Sequence, residues 1–578
     1  MKVRLAKTAG FCMGVRRAME IALSEANKGD GTLFTYGPLI HNQQVLDLLR
    51  SKGVDIKEDI NEHDKGRITI RAHGITPTER EMIRSSNLKI IDATCPRVAK
   101  VQGIIKTYNK KGYTPVIFGD SRHPEVIGLM GYCKGHGIVI GSVEDVKRLP
   151  EKKRLVVVSQ TTQDVDAYRE ITEAIKGRYP EAIIFDTICD ETYKRQREVK
   201  SLARRVDSMV IVGGYNSGNT RRLYQISRST GKPTFHVETE KELESVWFSS
   251  TETVGVTAGA STPNWMIKNV TERLKTMGKS RQHALGGLLK KAFQFLLKIN
   301  IPVATGAFSL TYAGLMLSRG NADLIHPLLA LFYVYSMHVL NRFLDKEAST
   351  YNDPGAALFY NQRKAFLITT ALTGIGVGLI LSLYLGISQF LLFLILTLLG
   401  IVYSIPIIPL RFRYLGRYAK IKDLPGSKTM AEALAWGIIS SLLPIIGWPG
   451  PFWPGVIASF FFVSSMCYVR SGLFDVLNIQ GDLIVGRETL PIALGEEKAL
   501  NLLHLINAFF GVFTLLSAAT GIVSRLGFLL FVCFFNSFVY LTAYQKGWIR
   551  DGSRLQAVAE SNLLLAGLLA LTWSAVGG

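Results

Sequence analysis

Three cysteines of the first half occur in similar sequence contexts, and the clearest of them lies at the end of a predicted strand. Cys95 follows Ile-Ile-Asp in KIIDATCPRVA, Cys12 lies in TAGFCMGVRRA, and Cys189 lies in IIFDTICDET. The run before Cys95 reads as the end of a buried strand, and Pro96 stops that strand, so we expect the thiol to face a cavity. The spacings of 83 and 94 residues put each cysteine in a separate α/β unit. Three converging thiolates would form a three-point site for a metal ion or a metal cluster.

Histidine, hydroxyl and amide side chains follow other apolar runs, most of them beside glycine or proline. One histidine alone is usually structural, but three at strand ends favour a binding site. Glycine-rich turns with serine, asparagine and threonine suit phosphate oxygens, although GGYNSGNT alone also fits a plain tight turn. The absence of a Walker lysine and of a complete GxGxxG pattern argues against nucleotide binding. The candidate residues are His41, His73, His123, Glu125, Thr161, Thr162, Ser217, Asn219 and Ser261.

The elements that must position these residues alternate between strands and helices through residues 1–280. Strand-like runs include LFTYG, RITIRAHG, TPVIFGD, GIVIG, LVVVSQTT, AIIFDTIC, SMVIVGG and ETVGVTAGAS. Helical patterns such as RRAMEIALSEA, VAKVQGIIKTYNKKG and VDAYREITEAIKGR lie between them. This alternation predicts an α/β fold with mostly parallel sheets, which bind ligands at their strand ends.

The apolar residues, 48% of the 578-residue chain, are unevenly distributed. Residues 299–578 are dominated by apolar runs of roughly 20 residues, the length that crosses a bilayer. We therefore predict a soluble α/β domain at 1–278, a basic amphipathic linker at 279–298, and an all-α membrane domain at 299–578. The linker also fits the positive flank of the first span. The net charge of +21 indicates a lipid surface as partner rather than nucleic acid, because basic residues crowd the span ends.

Nine membrane spans are predicted, and the loops between them are asymmetric in charge. Loops after even-numbered spans carry most of the lysines and arginines, Arg363 and Arg470 among them, which predicts that they face the cytoplasm. The beginning of the chain lacks a signal-peptide pattern, so we expect the α/β half to be cytoplasmic and the protein to lie in the inner membrane. The predicted spans are 299–317, 324–343, 365–386, 388–409, 430–448, 453–473, 498–520, 526–543 and 557–576.

The six cysteines are interpreted for a reducing compartment, where they serve as ligands or buried thiols rather than disulfides. Cys133 lies in a predicted loop, and Cys467 and Cys533 lie in predicted spans. These three are expected to be structural.

Acidic residues of the membrane half cluster at two predicted cytoplasmic span ends. Carboxylates at a membrane interface are costly unless they are paired or bind a metal. Two facing groups suit Mg²⁺, which bridges protein carboxylates and substrate phosphates, and the alternative is ordinary solvated loop charge. The residues are Asn341, Asp345, Glu347 and Asp353 in the first group and Asp475, Asn478 and Asp482 in the second.

The motifs AGFCMGV, PLIHN, RAHG, DATCP, SRHPE, SQTT, DTIC, NSGN and AGAS occur in this order in residues 1–278. In this set and order they resemble the 4-hydroxy-3-methylbut-2-enyl diphosphate reductase family, also called LytB/IspH. The resemblance implies three α/β lobes around a central iron–sulfur cluster. It also implies reduction of that diphosphate to isopentenyl and dimethylallyl diphosphate, with ferredoxin or flavodoxin as the electron donor.

The same resemblance implies roles for individual residues. Cys12, Cys95 and Cys189 would hold a [4Fe–4S] cluster in which one iron has no cysteine ligand and acts on the allylic hydroxyl. Glu125 would donate the proton and Thr161 would help to relay it, whereas the alternative for Glu125 is a plain helix-start carboxylate. The substrate-binding residues would be His41, His73, His123, Thr161, Thr162, Ser217, Gly218, Asn219 and Ser261.

Residues 285–578 resemble the UbiA superfamily of intramembrane prenyltransferases, which use Mg²⁺ to ionise a polyprenyl diphosphate. The resemblance implies Asn341, Asp345, Asp475 and Asp482 as Mg²⁺ ligands and a second substrate that accepts the prenyl group. Arg342 replaces an aspartate of the first family motif. Two hypotheses stay open: a second enzyme of about nine transmembrane helices, or an inactive anchor for the reductase.

Overall fold

The computed structural model describes the chain apart from residues 29–30, 62, 152–153, 278–294, 297, 345–350, 405–425, 448–449, 451, 486–488, 550–551 and 578. The chain forms two compact units, Met1–Arg281 and Gln282–Gly578. Most of the predicted linker at 279–298 lies outside the described residues, so the domain boundaries stay a prediction.

Twelve strands among the described residues of the first unit form three four-stranded sheets, and all pairings are parallel. One sheet contains β2 (Leu33–Tyr36), β3 (Val54–Lys57), β4 (Gly66–Ile70) and β5 (Leu88–Asp92) in the order β3-β2-β4-β5. The next contains β6 (Thr114–Phe118), β7 (Ile138–Ile140), β8 (Leu155–Ser159) and β9 (Ile183–Ile184) in the order β7-β6-β8-β9. The last contains β1 (Lys2–Leu5), β10 (Ser208–Val212), β11 (Thr234–Val237) and β12 (Thr253–Ala258) in the order β1-β12-β10-β11.

The three sheets share one topology. In each, the first strand lies between the second and the third, and the fourth follows the third at the edge. The last sheet takes its fourth strand from the start of the chain, where Lys2 pairs with Thr253. In the first two sheets, the connections that leave the first and third strands run to opposite sides, which creates the switch point where parallel sheets bind ligands. The three α/β units that the cysteine spacing predicts are therefore three versions of one fold.

Nine helices accompany these strands. They are α1 (Met13–Asn27), α2 (Gln43–Ser51), α3 (Pro77–Ser85), α4 (Pro96–Lys110), α5 (Pro124–Gly131), α6 (Val165–Arg178), α7 (Asp190–Ala203), α8 (Gly218–Arg228) and α9 (Asn264–Met277). The central strands β6, β8 and β10 are buried at every residue, as expected for parallel strands that are covered on both faces.

The eight strand-like runs all correspond to strands, but the sequence patterns missed β1, β3 and β11. These are edge strands of four residues with several exposed or half-buried positions, so no apolar run marks them. The prediction of a buried strand before Cys95 was wrong in one respect. Strand β5 lies at a sheet edge, and of its five residues only Leu88 is buried.

The second unit is helical. Its helices are α10 (Ile301–Arg319), α11 (Ile325–Leu344), α12 (Pro354–Gln362), α13 (Lys364–Leu385), α14 (Ile387–Val402), α15 (Ser427–Gly437), α16 (Trp453–Val485), α17 (Leu490–Leu494), α18 (Glu496–Ala519), α19 (Leu526–Gln545) and α20 (Gly552–Ala575). Helix α15 continues into a π turn at Ile438–Leu442 and a short 3₁₀ turn at Leu443–Ile445, where Pro444 prevents a regular helix.

Each of the nine predicted spans overlaps a described helix, but only six of the described helices are long and apolar enough to cross a membrane. Several large apolar side chains of this unit are exposed. Tyr384 is 79% exposed, Ile380 is 70% exposed and Leu505 is 66% exposed. Such a surface fits contact with lipid. The count of nine spans stays a prediction, since part of the fourth lies outside the described residues.

Candidate functional site

Each predicted cysteine ligand is the residue immediately before a helix. Cys12 precedes α1, Cys95 precedes α4, and Cys189 precedes α7, and none of the three thiols caps its helix by a hydrogen bond. All three are free thiols of intermediate exposure. Because a helix N-terminus favours negative charge, this placement stabilises thiolates.

The backbone of each cysteine is fixed in the same way. Each cysteine follows a strand at the edge of a sheet. Its backbone N–H donates to a carbonyl that lies just beyond the end of the adjacent strand. The acceptors are Ala260 for Cys12 (3.2 Å), Ala72 for Cys95 (2.9 Å) and Thr161 for Cys189 (3.0 Å). Ser261 and His73 directly follow the first two acceptors. The threefold topology therefore brings a cysteine and a predicted substrate ligand together at each sheet.

The three thiols lie close enough to influence one another. Burial raises the pKa of Cys95 and of Cys189, and the Cys12 thiol contributes to both increases. A Cβ at Gly14 would lie 2.5 Å from the Cys95 sulfur, so a glycine lets α1 approach Cys95. The sulfurs do not form a group with all members within 4.8 Å. Thiolates on one ion would be about 4 Å apart, given metal–sulfur bonds of about 2.3 Å, so this spacing fits a cluster of several metal ions better.

Glu125 and Thr161 form a buried hydrogen-bonded pair. Thr161 donates from its backbone nitrogen to Oε1 (2.7 Å) and from its hydroxyl to Oε2 (3.0 Å) of the carboxylate. Burial raises the pKa of Glu125 to about 7, although both Thr161 bonds act to lower it. The Thr161 carbonyl also accepts the Thr192 hydroxyl at 3.1 Å. The Glu125 carboxyl, which holds a proton near neutral pH, is therefore hydrogen-bonded to Thr161, whose carbonyl also fixes the backbone of Cys189.

The rings of His41, His73 and His123 form a triangle with centroid distances of 4.6, 5.3 and 5.5 Å. Burial lowers the pKa of all three, that of His123 to about 4 and that of His73 well below its usual value. Nε2 of His41 and Nδ1 of His73 are buried without a described hydrogen-bond partner. These two ring nitrogens are available to bind a polar ligand.

The histidine triangle also has the dimensions of a metal site, since one nitrogen of each ring lies within 4.8 Å of the others. However, His123 Nδ1 accepts the backbone N–H of Glu125 at 3.2 Å, which leaves the ring proton on Nε2. A ring that presents N–H is a donor to an anion rather than a ligand to a cation. The triangle therefore favours phosphate oxygens.

Hydroxyl and amide groups from α8 and the β12 loop lie next to this triangle. Ser261 donates to the Ser217 hydroxyl (3.4 Å) and to the His41 carbonyl (3.3 Å). Asn219, in the first turn of α8, has a buried side-chain N–H₂ without a described partner. A Cβ at Gly218 would lie 3.5 Å from the His123 ring, so a serine at this position would fit as well. The hydroxyl of Thr162 accepts a hydrogen bond from the side chain of Gln160 (3.2 Å).

Sequence reasoning missed Asn42, which fixes the geometry of this region. Its side chain caps α2 through the Val45 N–H (3.2 Å) and donates to the Ser261 carbonyl (3.2 Å). Asn42 thereby holds the loop of His41 against the loop of Ser261. An asparagine directly before a helical pattern is a typical N-cap signal and could have been recognised in PLIHN.

In the second unit, the predicted Mg²⁺ ligands are only partly described. Asp475, buried on α16, accepts hydrogen bonds from Lys428 (2.7 Å) and Thr429 (2.5 Å). Asp482 lies two turns later and contacts Asn352 (3.3 Å). The remaining predicted ligand that is described, Asn341, accepts the Ser404 hydroxyl (2.9 Å), and Asp345 and Glu347 lie outside the described residues.

Arg342, which departs from the family motif, lies over the Tyr360 ring with its guanidinium carbon 4.6 Å from the centroid. Its Nη2 is 3.7 Å from the Asp353 carboxylate. These contacts hold its charge on helix α12 and its N-cap.

A buried ionic cluster in the second unit was also missed, and the placement of Arg470 in a cytoplasmic loop was wrong. Arg470 lies within α16 and is 3% exposed. It donates to Glu560 (2.5 and 2.9 Å) and to Glu432 (3.1 Å), and Glu432 also pairs with His338 (3.2 Å). The loop assignment failed because a positive charge was counted without its acidic partners, which are distant in sequence.

Comparison with known proteins assigns each unit separately. Residues 3–275 match the family described as LytB protein, and residues 307–567 match the UbiA prenyltransferase family. The 4-hydroxy-3-methylbut-2-enyl diphosphate reductase of Geobacter sulfurreducens is 43% identical over 282 residues, which cover 49% of this chain and 100% of that protein.

Among solved structures, a diphosphate reductase described as the terminal enzyme of the non-mevalonate pathway is 41% identical. It covers 48% of this chain and 100% of its own, with a TM-score of 0.39. A UbiA homolog from Archaeoglobus fulgidus bound to GPP and Mg²⁺ is 20% identical. It covers 47% of this chain and 98% of its own, with a TM-score of 0.33.

Proposed function

Because the first half of this chain belongs to the 4-hydroxy-3-methylbut-2-enyl diphosphate reductase family, we propose that it reduces this diphosphate to isopentenyl and dimethylallyl diphosphate. The observation that carries the proposal is the position of Thr161. One residue links the Glu125 carboxyl to the backbone of Cys189 through three hydrogen bonds of 2.7 to 3.0 Å. Proton delivery and the proposed cluster site are thereby joined in one rigid unit.

Cys12, Cys95 and Cys189 would hold a [4Fe–4S] cluster at three helix N-termini. When bound by three thiolates, such a cluster supplies single electrons and an iron without a cysteine ligand. The wide spacing of the sulfurs supports this ligand set over a single ion. Ferredoxin or flavodoxin is proposed as the source of the electrons.

The diphosphate would bind where unpaired donors converge. His41 and His73 offer buried ring nitrogens, and Asn219 offers a buried amide. Ser217, Ser261 and the Nε2–H of His123 complete a set of mostly neutral donors, with Gly218 leaving room beside the His123 ring. Thr162, which directly follows Thr161 in the chain, would lie at the edge of this set. In this proposal the diphosphate would lie next to Glu125, whose backbone N–H donates to Nδ1 of His123.

Glu125 would hold and deliver the proton that the reduction consumes. Burial raises its pKa to about 7, so a substantial fraction of the carboxyl is protonated at neutral pH. Thr161 positions both oxygens and can pass the proton through its hydroxyl. The closed, buried setting excludes water that would compete as a proton source.

The second half carries a UbiA prenyltransferase family domain, and the protein is a multi-pass membrane protein. We propose that this half transfers a polyprenyl group from its diphosphate to an acceptor with the help of Mg²⁺. The i, i+7 spacing of Asp475 and Asp482 on one face of α16 supports a cation site there. We further propose the inner membrane as its location, with the reductase half in the cytoplasm. The family match favours this reading over an inactive anchor.

Two measurements on the full chain test these proposals. Protein purified without oxygen in detergent is analysed for iron and sulfide and assayed with 4-hydroxy-3-methylbut-2-enyl diphosphate and dithionite. Protein that holds iron and turns the substrate over supports the reductase proposal, and iron-free protein contradicts it. For the membrane half, Mg²⁺-dependent release of diphosphate from labelled geranylgeranyl diphosphate is compared with that of Asp475→Asn. An equal rate in both would refute the cation site, and no release by either would favour the anchor.

A further inference from the structure

A buried arginine without an acidic partner lies beside the cysteine site. Arg195, on α7, is 2% exposed. Its Nη2 donates to the Gly10 carbonyl at 2.6 Å and its Nη1 to the Ala258 carbonyl at 3.2 Å. Both acceptors are neutral. No carboxylate of the described residues lies within salt-bridge distance of this guanidinium.

The acidic residues of the same helix are engaged elsewhere. Glu198 accepts the backbone N–H groups of Lys7 and Thr8 at 2.6 and 2.8 Å. Asp190 pairs with Arg97 at 2.5 Å, and Glu191 pairs with Lys194 at 2.9 Å on the helix surface. None of the three forms an ion pair with Arg195, although Glu191 and Glu198 act on its charge from a longer distance.

The contacts of Arg195 place it next to two of the three thiols. Gly10 lies two residues before Cys12. Ala258 lies two residues before Ala260, whose carbonyl accepts the Cys12 N–H. Cys189 precedes α7, so it stands six residues before Arg195 on the same element. Burial lowers the pKa of Arg195, and the Cys12 thiol exerts the largest opposing effect.

A buried positive charge is unfavourable unless a negative group compensates for it. Arginine does not escape this cost by losing its proton. The Cys12 thiol acts on the charge of Arg195 more strongly than Glu191 or Glu198 does, so the thiolates are the main negative partner. Three thiolates outweigh the charge of an oxidised [4Fe–4S] core, and every added electron increases the negative charge. A fixed cation beside it favours the reduced state because the buried setting strengthens the attraction.

We propose that Arg195 is the counter-ion of the iron–sulfur cluster and raises its reduction potential, a role that rests on the proposed reductase function. In the step concerned, the cluster accepts one electron from the external donor, and no bond to Arg195 forms or breaks. Arg195 is therefore a positioning residue, because it would act on the reduction of the cluster through its charge and not by bonding to the reacting atoms.

The test is a dithionite titration of the full-length holoprotein, followed by electron paramagnetic resonance. Arg195→Gln removes the charge, Arg195→Lys keeps it, and Arg197→Gln removes a neighbouring exposed charge as the matched control. We expect Arg195→Gln to lower the equilibrium constant for one-electron reduction at least tenfold, which is 59 mV. Arg195→Lys should shift less, and Arg197→Gln should match wild type. An unchanged potential in an iron-replete Arg195→Gln protein overturns the proposal.

A second measurement covers the case in which Arg195→Gln fails to retain iron. The iron content of Arg195→Lys, as full-length protein purified without oxygen, is then measured. Lysine keeps the positive charge, so this variant should hold iron close to the wild-type amount. Loss of iron in Arg195→Lys as well would show that the hydrogen bonds to Gly10 and Ala258 matter and the charge does not, and would overturn the proposal. If wild-type protein itself never holds iron, the reductase function fails instead, which is a distinct result.

Discussion

Glu125 and Thr161 meet through both carboxylate oxygens, with donor–acceptor distances of 2.7 and 3.0 Å, although they are 36 residues apart. They extend from the ends of β6 and β8, which are neighbours at the switch point of one sheet. The carbonyl of Thr161 fixes Cys189, which follows β9 at the edge of the same sheet. Three adjacent strands are thus followed by the proposed proton donor, its proposed positioning residue and a proposed metal ligand.

The first prediction concerns Glu125 as proton donor. We expect Glu125→Gln to bind the substrate with little change but to lower kcat about 10²- to 10⁴-fold, since an amide cannot deliver the proton. Steady-state kinetics of the reductase reaction check this. Glu170→Gln, an exposed glutamate on α6, is the control and should behave as wild type. Turnover near wild type in Glu125→Gln would remove Glu125 from this role.

The pH dependence of the wild-type reaction follows from the same group. Burial raises the pKa of Glu125 to about 7, so the carboxyl holds its proton below that pH and loses it above. We expect kcat/KM to fall as the pH rises through about 7, because the ionised form has no proton to give. Rates measured from pH 6 to 9 provide the test. A flat profile over this range would contradict the assignment.

Iron retention should depend on the thiol of Cys189 specifically. We expect Cys189→Ser to lose most of its iron and its visible absorbance, since two thiolates from two lobes cannot close the three-point site. Iron analysis of protein purified without oxygen is the measurement. Cys133→Ser is the matched control, because Cys133 is fully buried and bonds the Leu129 carbonyl. Equal iron contents in the two variants would exclude Cys189 as a ligand.

Substrate binding should take up protons at the histidine triangle. Burial lowers the pKa of His41, His73 and His123 in the free protein, so the rings are neutral at pH 7. A bound diphosphate favours the charged rings and raises these pKa values, so we expect uptake of up to about one proton. Affinity should therefore weaken as the pH rises.

Calorimetry of substrate binding without reductant, in two buffers of different ionisation enthalpy at pH 7, measures this uptake. His123→Asn should reduce it. His136→Asn, which changes an exposed histidine, should leave it as in wild type. Buffer-independent heats in wild type would show that the rings stay neutral in the complex.

The ionic cluster of the second unit should be a major source of its stability. Arg470→Met leaves Glu560 and Glu432 without their cation in a buried site, and we expect a loss of about 3–5 kcal/mol. The test is the unfolding temperature of the second unit, measured on the full chain in detergent with a signal that comes from that unit. Arg525→Met removes an exposed arginine and should change little. A similar unfolding temperature for both variants would count against the cluster.

Much of the first unit could be predicted from local sequence. Apolar runs marked the central strands because β6, β8 and β10 are buried on both faces. The spacing of Cys12, Cys95 and Cys189 indicated three units, because each cysteine follows the fourth strand of one sheet. The nine motifs in order identified the family, and apolar runs located the membrane helices.

The tertiary structure decided what depends on partners distant in sequence. Edge strands such as β1 carry little apolar pattern, and only pairing with residues 253–256 defines β1. Arg470 looked like a loop charge until helix packing joined it to Glu560, 90 residues later. Arg195 lay in a polar helix, and only the approach of Gly10 and Ala258 buried its charge without an ion pair among the described residues. Residue types and their order set which chemistry was available, whereas burial and charge pairing are properties of packed surfaces that no single segment contains.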